Sequence, residues 1–289
     1  MEEFTFTGLG TKWLVSVDEK KLEDQARKAA IQYVQDFENR FSRFLPFSEV
    51  NAFRQSLAGE YILSQEFTPL LARAGRLRTL TGGAYDPAVA SILEEAGYGA
   101  QHGLAPLEKM ENPHVSPWSL AGNKLTIDGP IAFDLGGIGK GYCIDQVAGV
   151  LKHLDYDYFL VDGGGDMVGT TKADGSAWRV AVEYPGKPDM AASIVNLKRQ
   201  GIAVSDSFRR RFGKWHHLID VQEKKPVEKI IGCAAIGRDA WAADCMTSGL
   251  FFAPPENYSA MAEEFGVTYL VFQSDGTAIV SPGWQGELL

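Results

Sequence analysis

The chain has 289 residues, of which 45% are hydrophobic, 22% charged and 11% aromatic, and its formal net charge is −9. These proportions are typical of a folded globular protein and exclude disordered, collagen-like and coiled-coil chains. The negative charge argues against nucleic acid as a partner, and the one dense basic run, Arg209 to Arg211, is more typical of a solvated face than of an anion site.

The cysteines and the apolar runs indicate the cellular compartment of the protein. Cys143, Cys233 and Cys245 form no C-x-x-C pair and no metal-ligand spacing, so no disulfide framework is predicted. The first residues lack a basic segment followed by an apolar one, and no apolar run is long enough to span a membrane. The sequence as written predicts a cytoplasmic protein with no transmembrane segment. A periplasmic or membrane-anchored location is expected if a leader has been removed.

The first part of the chain is predicted to be rich in helices. Residues 12–17, KWLVSV, alternate apolar and polar side chains as a half-buried strand does. A helix follows, capped by Asp18 and ending near the polar turn at Asn39. Further helices are expected over Pro69 to Leu80 and from Pro87, since proline is tolerated in the first turn of a helix.

From Leu125 the pattern changes to short strands separated by turn residues. The predicted strands are LTID (125–128), IAFDL (131–135), YFLV (158–161), WRVAVEY (178–184), SIVNL (193–197), IAVS (202–205), HHLIDV (216–221) and IIGCAAIG (230–237). Helices over Gly139 to Leu151 and Asp239 to Phe252 interrupt them, and YLVFQ with AIVS forms a terminal hairpin. Because no repeat or linker is present, we predict one α+β domain over residues 1–289, helix-rich over 1–120 and strand-rich over 121–289.

The stretch DLGGIGKG, residues 134–141, combines several glycines with a single lysine. A P-loop would need a glycine at the start of this motif and a hydroxyl residue after the lysine to ligand magnesium. Those positions hold Asp134 and Gly141. The sequence therefore excludes a P-loop.

A second glycine-rich stretch, FLVDGGGDMVG at 159–169, imitates a dinucleotide-binding fingerprint, with Glu183 downstream as its acidic residue. That fold requires a helix directly after the glycines, so that N–H groups at the helix start face the pyrophosphate. Turn residues occupy 165–178 instead. We predict a β-turn-β unit here, which leaves a nicotinamide-type oxidoreductase as a distant alternative that the lack of a helix after Val168 would exclude.

Both glycine stretches free the backbone of side chains at a strand end, which would let main-chain N–H groups approach an anion. Lys140 opens the following helix, where the helix dipole also favours negative charge. These features indicate a phosphate-bearing ligand. Two tight turns with an exposed lysine explain the same residues equally well.

Further candidate groups lie downstream. Asp244 and Ser248 are one helical turn apart, and a carboxylate with a hydroxyl suits a hard cation such as magnesium. More commonly, the acid of such a pair is solvated and the serine hydroxyl bonds to a backbone carbonyl of its own helix. His216 and His217 alternate on a predicted strand, so they point to opposite faces, and one of them could act as a base.

Eight segments, in order along nearly the whole chain, resemble the ApbE family of flavin transferases, the FAD:protein FMN transferases. They are GLGTKWLVSV (8–17), FSRFLPFSEVNAF (41–53), TGGAYDPAV (81–89), DLGGIGKGYCID (134–145), VDGGGDM (161–167), AVSDSFRRRF (203–212), HHLID (216–220) and ADCMTSGLF (243–251). The resemblance implies a single ApbE-like domain, with a helical N-terminal part packed on a mixed or antiparallel β core. It also implies that FAD is the substrate, that Mg²⁺ is the cofactor, and that FMN passes to a threonine or serine of an acceptor protein with release of AMP.

The same resemblance implies roles for individual residues. Metal ligation falls to the side chains of Asp244 and Ser248 and the backbone carbonyl of Gly139. His217 and Asp244 are the implied catalytic residues, since either could accept the proton of the attacking hydroxyl. The implied flavin-nucleotide contacts are Phe44, Ser48, Asp86, Gly136, Gly137, Lys140, Asp145, Gly164, Gly165 and Asp166.

Two departures from the family pattern bear on function. Asp206 stands where the family usually has glycine, which adds charge near the expected phosphates, and Val221 follows Asp220 where the family usually has proline. Ser248 replaces the usual threonine but keeps the ligating oxygen. Two alternatives therefore stay open beside the transferase: an FAD pyrophosphatase that yields FMN and AMP, and a non-catalytic FAD-binding protein.

Overall fold

A computed structural model describes residues 1–98, 115–209, 211–212 and 215–289. The helices in these residues are α1 (Asp24–Phe41), α2 (Phe67–Leu80), α3 (Ala90–Glu95), α4 (Gly139–His153), α5 (Ala240–Phe252) and α6 (Tyr258–Phe265). The strands before α5 are β1 (Glu2–Gly8), β2 (Thr11–Val17), β3 (Gly59–Ile62), β4 (Trp118–Ala121), β5 (Lys124–Ile127), β6 (Phe159–Gly163), β7 (Met167–Gly169), β8 (Trp178–Tyr184), β9 (Lys187–Leu197), β10 (Gln200–Asp206), β11 (Arg211–Phe212), β12 (Trp215–His216), β13 (Ile219–Asp220), β14 (Lys225–Pro226) and β15 (Ile230–Gly237). The strands after α5 are β16 (Val267–Gln273), β17 (Ala278–Val280) and β18 (Gly286–Leu288).

The main sheet joins strands from both parts of the chain in the order β1-β2-β6-β7-β10-β15-β16-β17. Each neighbouring pair in it runs antiparallel. Two further three-stranded sheets have the orders β18-β9-β8 and β3-β5-β4. The structure thus confirms an α+β fold with an antiparallel core.

The helices α4 and α5 pack against each other and against the main sheet, and α4 also packs on α1, so the two helices belong to the main hydrophobic core. Nearly every residue of α5 is buried, which is why its sequence is apolar on all sides and not on a single stripe. A side chain at Gly141 would collide with the carbonyl of Ala240 and lie 2.7 Å from Cβ of Asp244. Glycine at this position therefore lets α4 and α5 approach closely enough to share a site.

Several predicted elements are confirmed. The helices predicted from Gly139 and over Asp239 to Phe252 form α4 and α5, and the terminal hairpin forms β16 and β17. The glycine stretch at 159–169 is the hairpin of β6 and β7, so the predicted β-turn-β unit is correct and no helix follows these glycines. The short helix expected from Pro87 is a 3-10 turn that continues into α3.

Other predictions are wrong for identifiable reasons. Residues 131–135, all of them described, form no strand, because Ile131 and Asp134 donate their N–H groups to loop carbonyls of Phe53 and Pro87. The first helix begins at Asp24, and the Asp18 carboxylate instead accepts the N–H of Ala173. HHLIDV forms only the two-residue strands β12 and β13 with their loop.

Some structure was not predicted. The strand β1 and the helix α6 were missed, although α6 ends at Gly266 in the left-handed conformation that glycine favours. No helix in the described part of the chain is both long and apolar enough to cross a membrane. The cytoplasmic location stays a prediction. Arg210 of the basic run lies outside the described residues.

Candidate active site

One cavity of about 490 Å³ collects most of the predicted site residues. It lies between the C-terminal end of α1, the start of α4, the hairpin of β6 and β7, and α5. The predicted residues that line it are Phe44, Asp86, Gly136, Gly137, Gly139, Lys140, Gly164, His217, Asp244 and Ser248. Ser48, Asp145, Gly165 and Asp166 do not line it, and each has another position in the structure.

The acid and alcohol of α5 face the start of α4. One carboxylate oxygen of Asp244 accepts the N–H of Gly141 at 2.8 Å, and the hydroxyl of Ser248 donates to the carbonyl of Gly137 at 2.5 Å. Both side chains are buried. An acidic, a hydroxyl and a carbonyl oxygen therefore gather on one wall of the cavity.

The carbonyl beside Ser248 belongs to Gly137, two residues before the one named from sequence. Gly139 is the first residue of α4, and its N–H already donates to Leu135 at 2.7 Å. As a helical residue, Gly139 directs its carbonyl along the helix, where the ladder uses it. The hydrogen bond to Ser248 makes the Gly137 carbonyl a further candidate for the backbone oxygen, beside the predicted Gly139 carbonyl.

Most of the glycine N–H groups are already bonded inside the protein. Gly136 donates to the Asp134 carboxylate at 2.6 Å, Gly165 donates to Asp162 at 2.7 Å, and Gly141 donates to α5. Bare backbone therefore contributes less to anion binding than the sequence indicated. These glycines serve tight turns and close helix packing.

Gly164 shows the same structural need. Its φ of 74° is in the left-handed region, and a side chain there would collide with Thr11 on β2. Because glycine has no side chain, the backbone of Gly164 itself lines the cavity.

Lys140 is not an isolated charge. Its ammonium lies 2.7 Å from the carboxylate of Asp166, whose side chain is 1% exposed. The other Asp166 oxygen accepts the N–H of Val204 at 2.9 Å. This buried pair joins α4 to the β6–β7 hairpin and holds the lysine at the cavity wall.

Asp145 stabilises the helix that carries the acid and alcohol. Its carboxylate accepts the N–H groups of Ala240 and Trp241 at 3.0 and 2.9 Å, at the start of α5. Burial, opposed by these two hydrogen bonds, raises the pKa of Asp145 to about 6. Asp145 thus acts on the site through α5 and not by lining the cleft.

The raised pKa predicts a pH-dependent stability. The folded protein binds the Asp145 proton more tightly than the unfolded chain does, so this contribution is full below about pH 4 and is lost as pH rises through about 6. Asp145→Asn removes the titration. We expect the free energy of unfolding of the wild type, minus that of the variant, to fall by roughly 1–3 kcal/mol between pH 4 and 7 in denaturant titrations. A difference that does not change with pH would contradict the assignment.

Asp86 is held by several contacts within the protein, and Ser48 is buried away from the cavity. The Asp86 carboxylate accepts from Trp118 Nε1 at 3.0 Å and lies 2.7 Å from Nε of Arg78, and it also caps the turn at Ala88. Its side chain is 4% exposed, so it braces the cavity wall. The hydroxyl of Ser48 is buried and makes no hydrogen bond with the residues that the structure describes.

An aromatic wall stands opposite α5. The Phe44 ring lies edge-on to Tyr98, with 6.0 Å between ring centres, and the Arg43 guanidinium lies 4.2 Å from the Phe44 centre. The rings of Tyr98 and His217 are 6.5 Å apart. His217 therefore shares the cavity with Phe44, while its neighbour His216 is buried against the carbonyl of Val227.

The sequence analysis gave no role to several cavity residues, although all but Tyr98 lie within segments that resemble the ApbE family: Leu9, Arg43, Tyr85, Tyr98 and Arg209. One signal was available for Leu9. It lies between two glycines at the tip of a hairpin, and its φ of 52° is unusual for a bulky side chain.

The charges around the cavity favour a cation. Its described lining includes the acids Glu38, Asp86, Asp134, Asp206 and Asp244 but only the cations Arg43, Lys140 and Arg209. This surplus of carboxylates would repel a diphosphate that carried no counter-ion.

Known proteins are similar to this chain over most of its length. The FAD:protein FMN transferase of Vibrio cholerae is 26% identical over 261 residues, covering 84% of this chain and 78% of that protein. The corresponding protein of Klebsiella pneumoniae is 28% identical over 292 residues, covering 93% and 83%.

Solved structures share the fold. The flavin transferase ApbE of Vibrio cholerae superposes with a TM-score of 0.83 at 21% identity, covering 98% of both chains. The apo flavinyl transferase ApbE of Pseudomonas stutzeri gives 0.79 at 23% identity, covering 96% of this chain and 93% of that one. The sequence model of the ApbE family matches residues 9–271, and this chain belongs to the ApbE family.

Proposed function

We propose that this protein is an FAD:protein FMN transferase, which moves FMN from FAD to a threonine or serine of an acceptor protein and releases AMP. Family membership and the names of the relatives support the reaction. The observation that carries it is the meeting of Asp244, Ser248 and the Gly137 carbonyl with Lys140, Phe44 and His217 around one cavity.

The donor set fits a magnesium ion. Asp244, Ser248 and the Gly137 carbonyl would hold it, because magnesium prefers oxygen ligands, takes few carboxylates from the protein and completes its shell with water and substrate phosphates. The surplus of acids around the cavity fits the same ion. When bound, magnesium offsets the negative charge of the diphosphate and of the leaving AMP.

The chain's own residues then account for binding. Phe44 offers an aromatic face that Arg43 and Tyr98 fix in place, which suits a flat ring of the nucleotide. Lys140 supplies a fixed positive charge beside the glycine turn. Asp244 and Ser248 are buried in the cavity wall, so their interactions are stronger than in bulk solvent.

His217 is proposed as the general base. It accepts the proton of the acceptor hydroxyl while that oxygen forms a bond to the FMN phosphorus. The bond between this phosphorus and the bridging oxygen breaks, and AMP leaves with that oxygen. Asp244 is already engaged with Gly141, which favours His217 over Asp244 as the proton acceptor.

The position of Asp206 weakens the case for a non-catalytic protein. One of its oxygens accepts the N–H groups of Phe208 and Arg209 at 2.7 and 2.8 Å, and the other lies 3.1 Å from Nε of Arg209. The added charge is therefore neutralised by a neighbour and does not face the phosphates alone.

The test is incubation with FAD and magnesium, with and without a threonine-containing acceptor peptide, followed by mass spectrometry. We expect AMP release, with an FMN adduct on the peptide, only when magnesium and the acceptor peptide are both present with FAD. Equal AMP release without the peptide would identify an FAD pyrophosphatase. Bound FAD that stays intact for hours would identify a flavin-binding protein.

Leu9 provides a test of the cavity wall. Leu9 and Gly10 form the two-residue turn between β1 and β2 with φ of 52° and 69°, a turn that favours asparagine in the first position. Leu9→Asn should relieve strain while losing apolar contact, so the free energy of unfolding should change by less than about 1 kcal/mol. FAD affinity should nevertheless fall roughly fivefold or more, because an apolar side chain leaves the cavity. Calorimetric titration and thermal unfolding of the same sample separate the two effects.

A further inference from the structure

We propose that Arg209 binds a phosphate oxygen of the flavin nucleotide, and that Asp206 and Glu183 position it. The inference rests on the proposed function and adds a residue to that site. Arg209 belongs to the wall of the main cavity and also to that of a smaller cavity of about 210 Å³ beside it. It therefore stands at the boundary between the two.

Two carboxylates set the orientation of the guanidinium. Nε of Arg209 lies 3.1 Å from an oxygen of Asp206, and Nη2 contacts a carboxylate oxygen of Glu183 on β8. Asp206 is itself fixed by the backbone N–H groups that it accepts, and its side chain is 10% exposed. The arginine thus has two anchors on different strands, although half of its side chain is exposed.

The N–H groups of the third nitrogen, Nη1, are available as donors. It makes no hydrogen bond within the described parts of the chain, and it lies 3.5 Å from where a side-chain carbon of Gly165 would be. Gly165 belongs to the β6–β7 turn, next to the cavity residue Gly164. A guanidinium carries five N–H donors in a planar fork, and this geometry suits phosphate oxygens.

The other cations of the cavity are already committed. The side chain of Arg43 is 2% exposed and bonds to Asp134, to Glu94 and to the carbonyl of Tyr98. Lys140 pairs with the buried Asp166. Among the described cationic residues of the wall, Arg209 is the one whose fork keeps a nitrogen without a partner.

This arrangement gives the Asp206 departure a function. Glycine would leave Arg209 with Glu183 as its one carboxylate partner among the described residues, whereas aspartate fixes both the turn and the direction of the guanidinium. The acid near the phosphates therefore acts by orienting a cation toward them.

The experiment measures FAD affinity in the presence of magnesium by calorimetric titration. Arg209→Met should raise the Kd for FAD about 10- to 100-fold, the loss typical of a hydrogen bond between charged groups. Arg209→Lys should recover part of the affinity. Inorganic pyrophosphate with magnesium should compete with FAD less well in Arg209→Met than in the wild type.

The matched control is Arg211→Met, which removes the same charge two residues further along the chain, at the start of β11. Arg211 donates to the carbonyl of Ser207, stacks on Phe208 and does not line the cavity, so its Kd for FAD should stay within about twofold of the wild type. Asp206→Asn keeps an acceptor for the turn but loses the ion pair, and should give an intermediate Kd. Unchanged thermal unfolding of the variants will show that the fold is retained.

The outcomes separate the inference from the proposed function. An Arg209→Met protein that binds FAD as the wild type does, or that pyrophosphate competes with equally well, overturns the inference while the transferase activity stands. A normal Kd for FAD with a raised KM for the acceptor peptide would assign Arg209 to the acceptor and also overturn it. Failure of the wild type to release AMP or transfer FMN would instead contradict the proposed function.

Discussion

Replacing Asp244 by alanine is expected to lower magnesium-dependent AMP release at least about 100-fold, a loss comparable to removing one preorganised electrostatic group from an active site. The substitution removes the only carboxylate of the proposed donor set. It also leaves the buried N–H of Gly141 without its acceptor, which costs about 1–3 kcal/mol of stability. FAD should still bind, more weakly, because Phe44, Lys140 and the rest of the wall remain.

Asp244→Asn distinguishes the metal role from the structural one. The amide oxygen can still accept the N–H of Gly141, so the fold should be retained while the charge is lost. We expect turnover to fall as in the alanine variant and the magnesium requirement to rise. Asp239→Asn is the matched control, since it removes a charge from the N-cap of the same helix, outside the cavity lining. Full activity in Asp244→Asn would rule out the proposed site.

Replacing His217 by alanine is expected to slow FMN transfer by roughly 10²–10⁴, the usual contribution of a general base. The Kd for FAD should change much less than the rate, because the proton transfer concerns the acceptor hydroxyl. Single-turnover measurements of FMN transfer at saturating FAD will isolate the step.

His216 offers the control for that experiment. It precedes His217 directly but is buried, with Nε2 2.9 Å from the carbonyl of Val227, and burial lowers its pKa. His216→Asn should therefore leave the transfer rate within about threefold of the wild type, whatever it costs in stability. A loss of less than tenfold in His217→Ala would assign that residue to structure.

The local sequence pattern was enough to predict the helix and the hairpin that carry the site residues. Helical spacing placed Asp244 and Ser248 on one face of α5, and the turn residues after Gly163 excluded a nucleotide-binding helix, because both features depend on neighbours a few positions apart. The strand predicted at 131–135 failed for the opposite reason. Its backbone bonds to Phe53 and Pro87, and Phe133 packs against Phe67 of α2 and Trp118 of β4, and local sequence does not reveal such distant partners.

The same distinction applies within the site. Glycines at two strand ends indicated free N–H groups, but the acceptors that bind them depend on side chains placed by the fold, such as Asp134 for Gly136 and Asp162 for Gly165. The Gly139 carbonyl was implied by the family resemblance and stays a prediction, whereas the Gly137 carbonyl became a candidate only through its hydrogen bond to Ser248 in the folded protein. Arg209 was assigned to a solvated face because its anchors, Asp206 and Glu183, meet only in three dimensions.

The strand order of the main sheet means that the N-terminal hairpin of β1 and β2 pairs with a strand that is synthesised much later. Strand β2 pairs Trp13 with Gly163 of β6, about 150 residues further along the chain. At the usual translation speed of roughly 5–20 residues per second, β1 and β2 wait on the order of ten seconds or more before their partner emerges from the ribosome. During that time the edge of β2 is open to pairing with other chains. Ribosome-associated chaperones that cover this edge should therefore raise the yield of native protein.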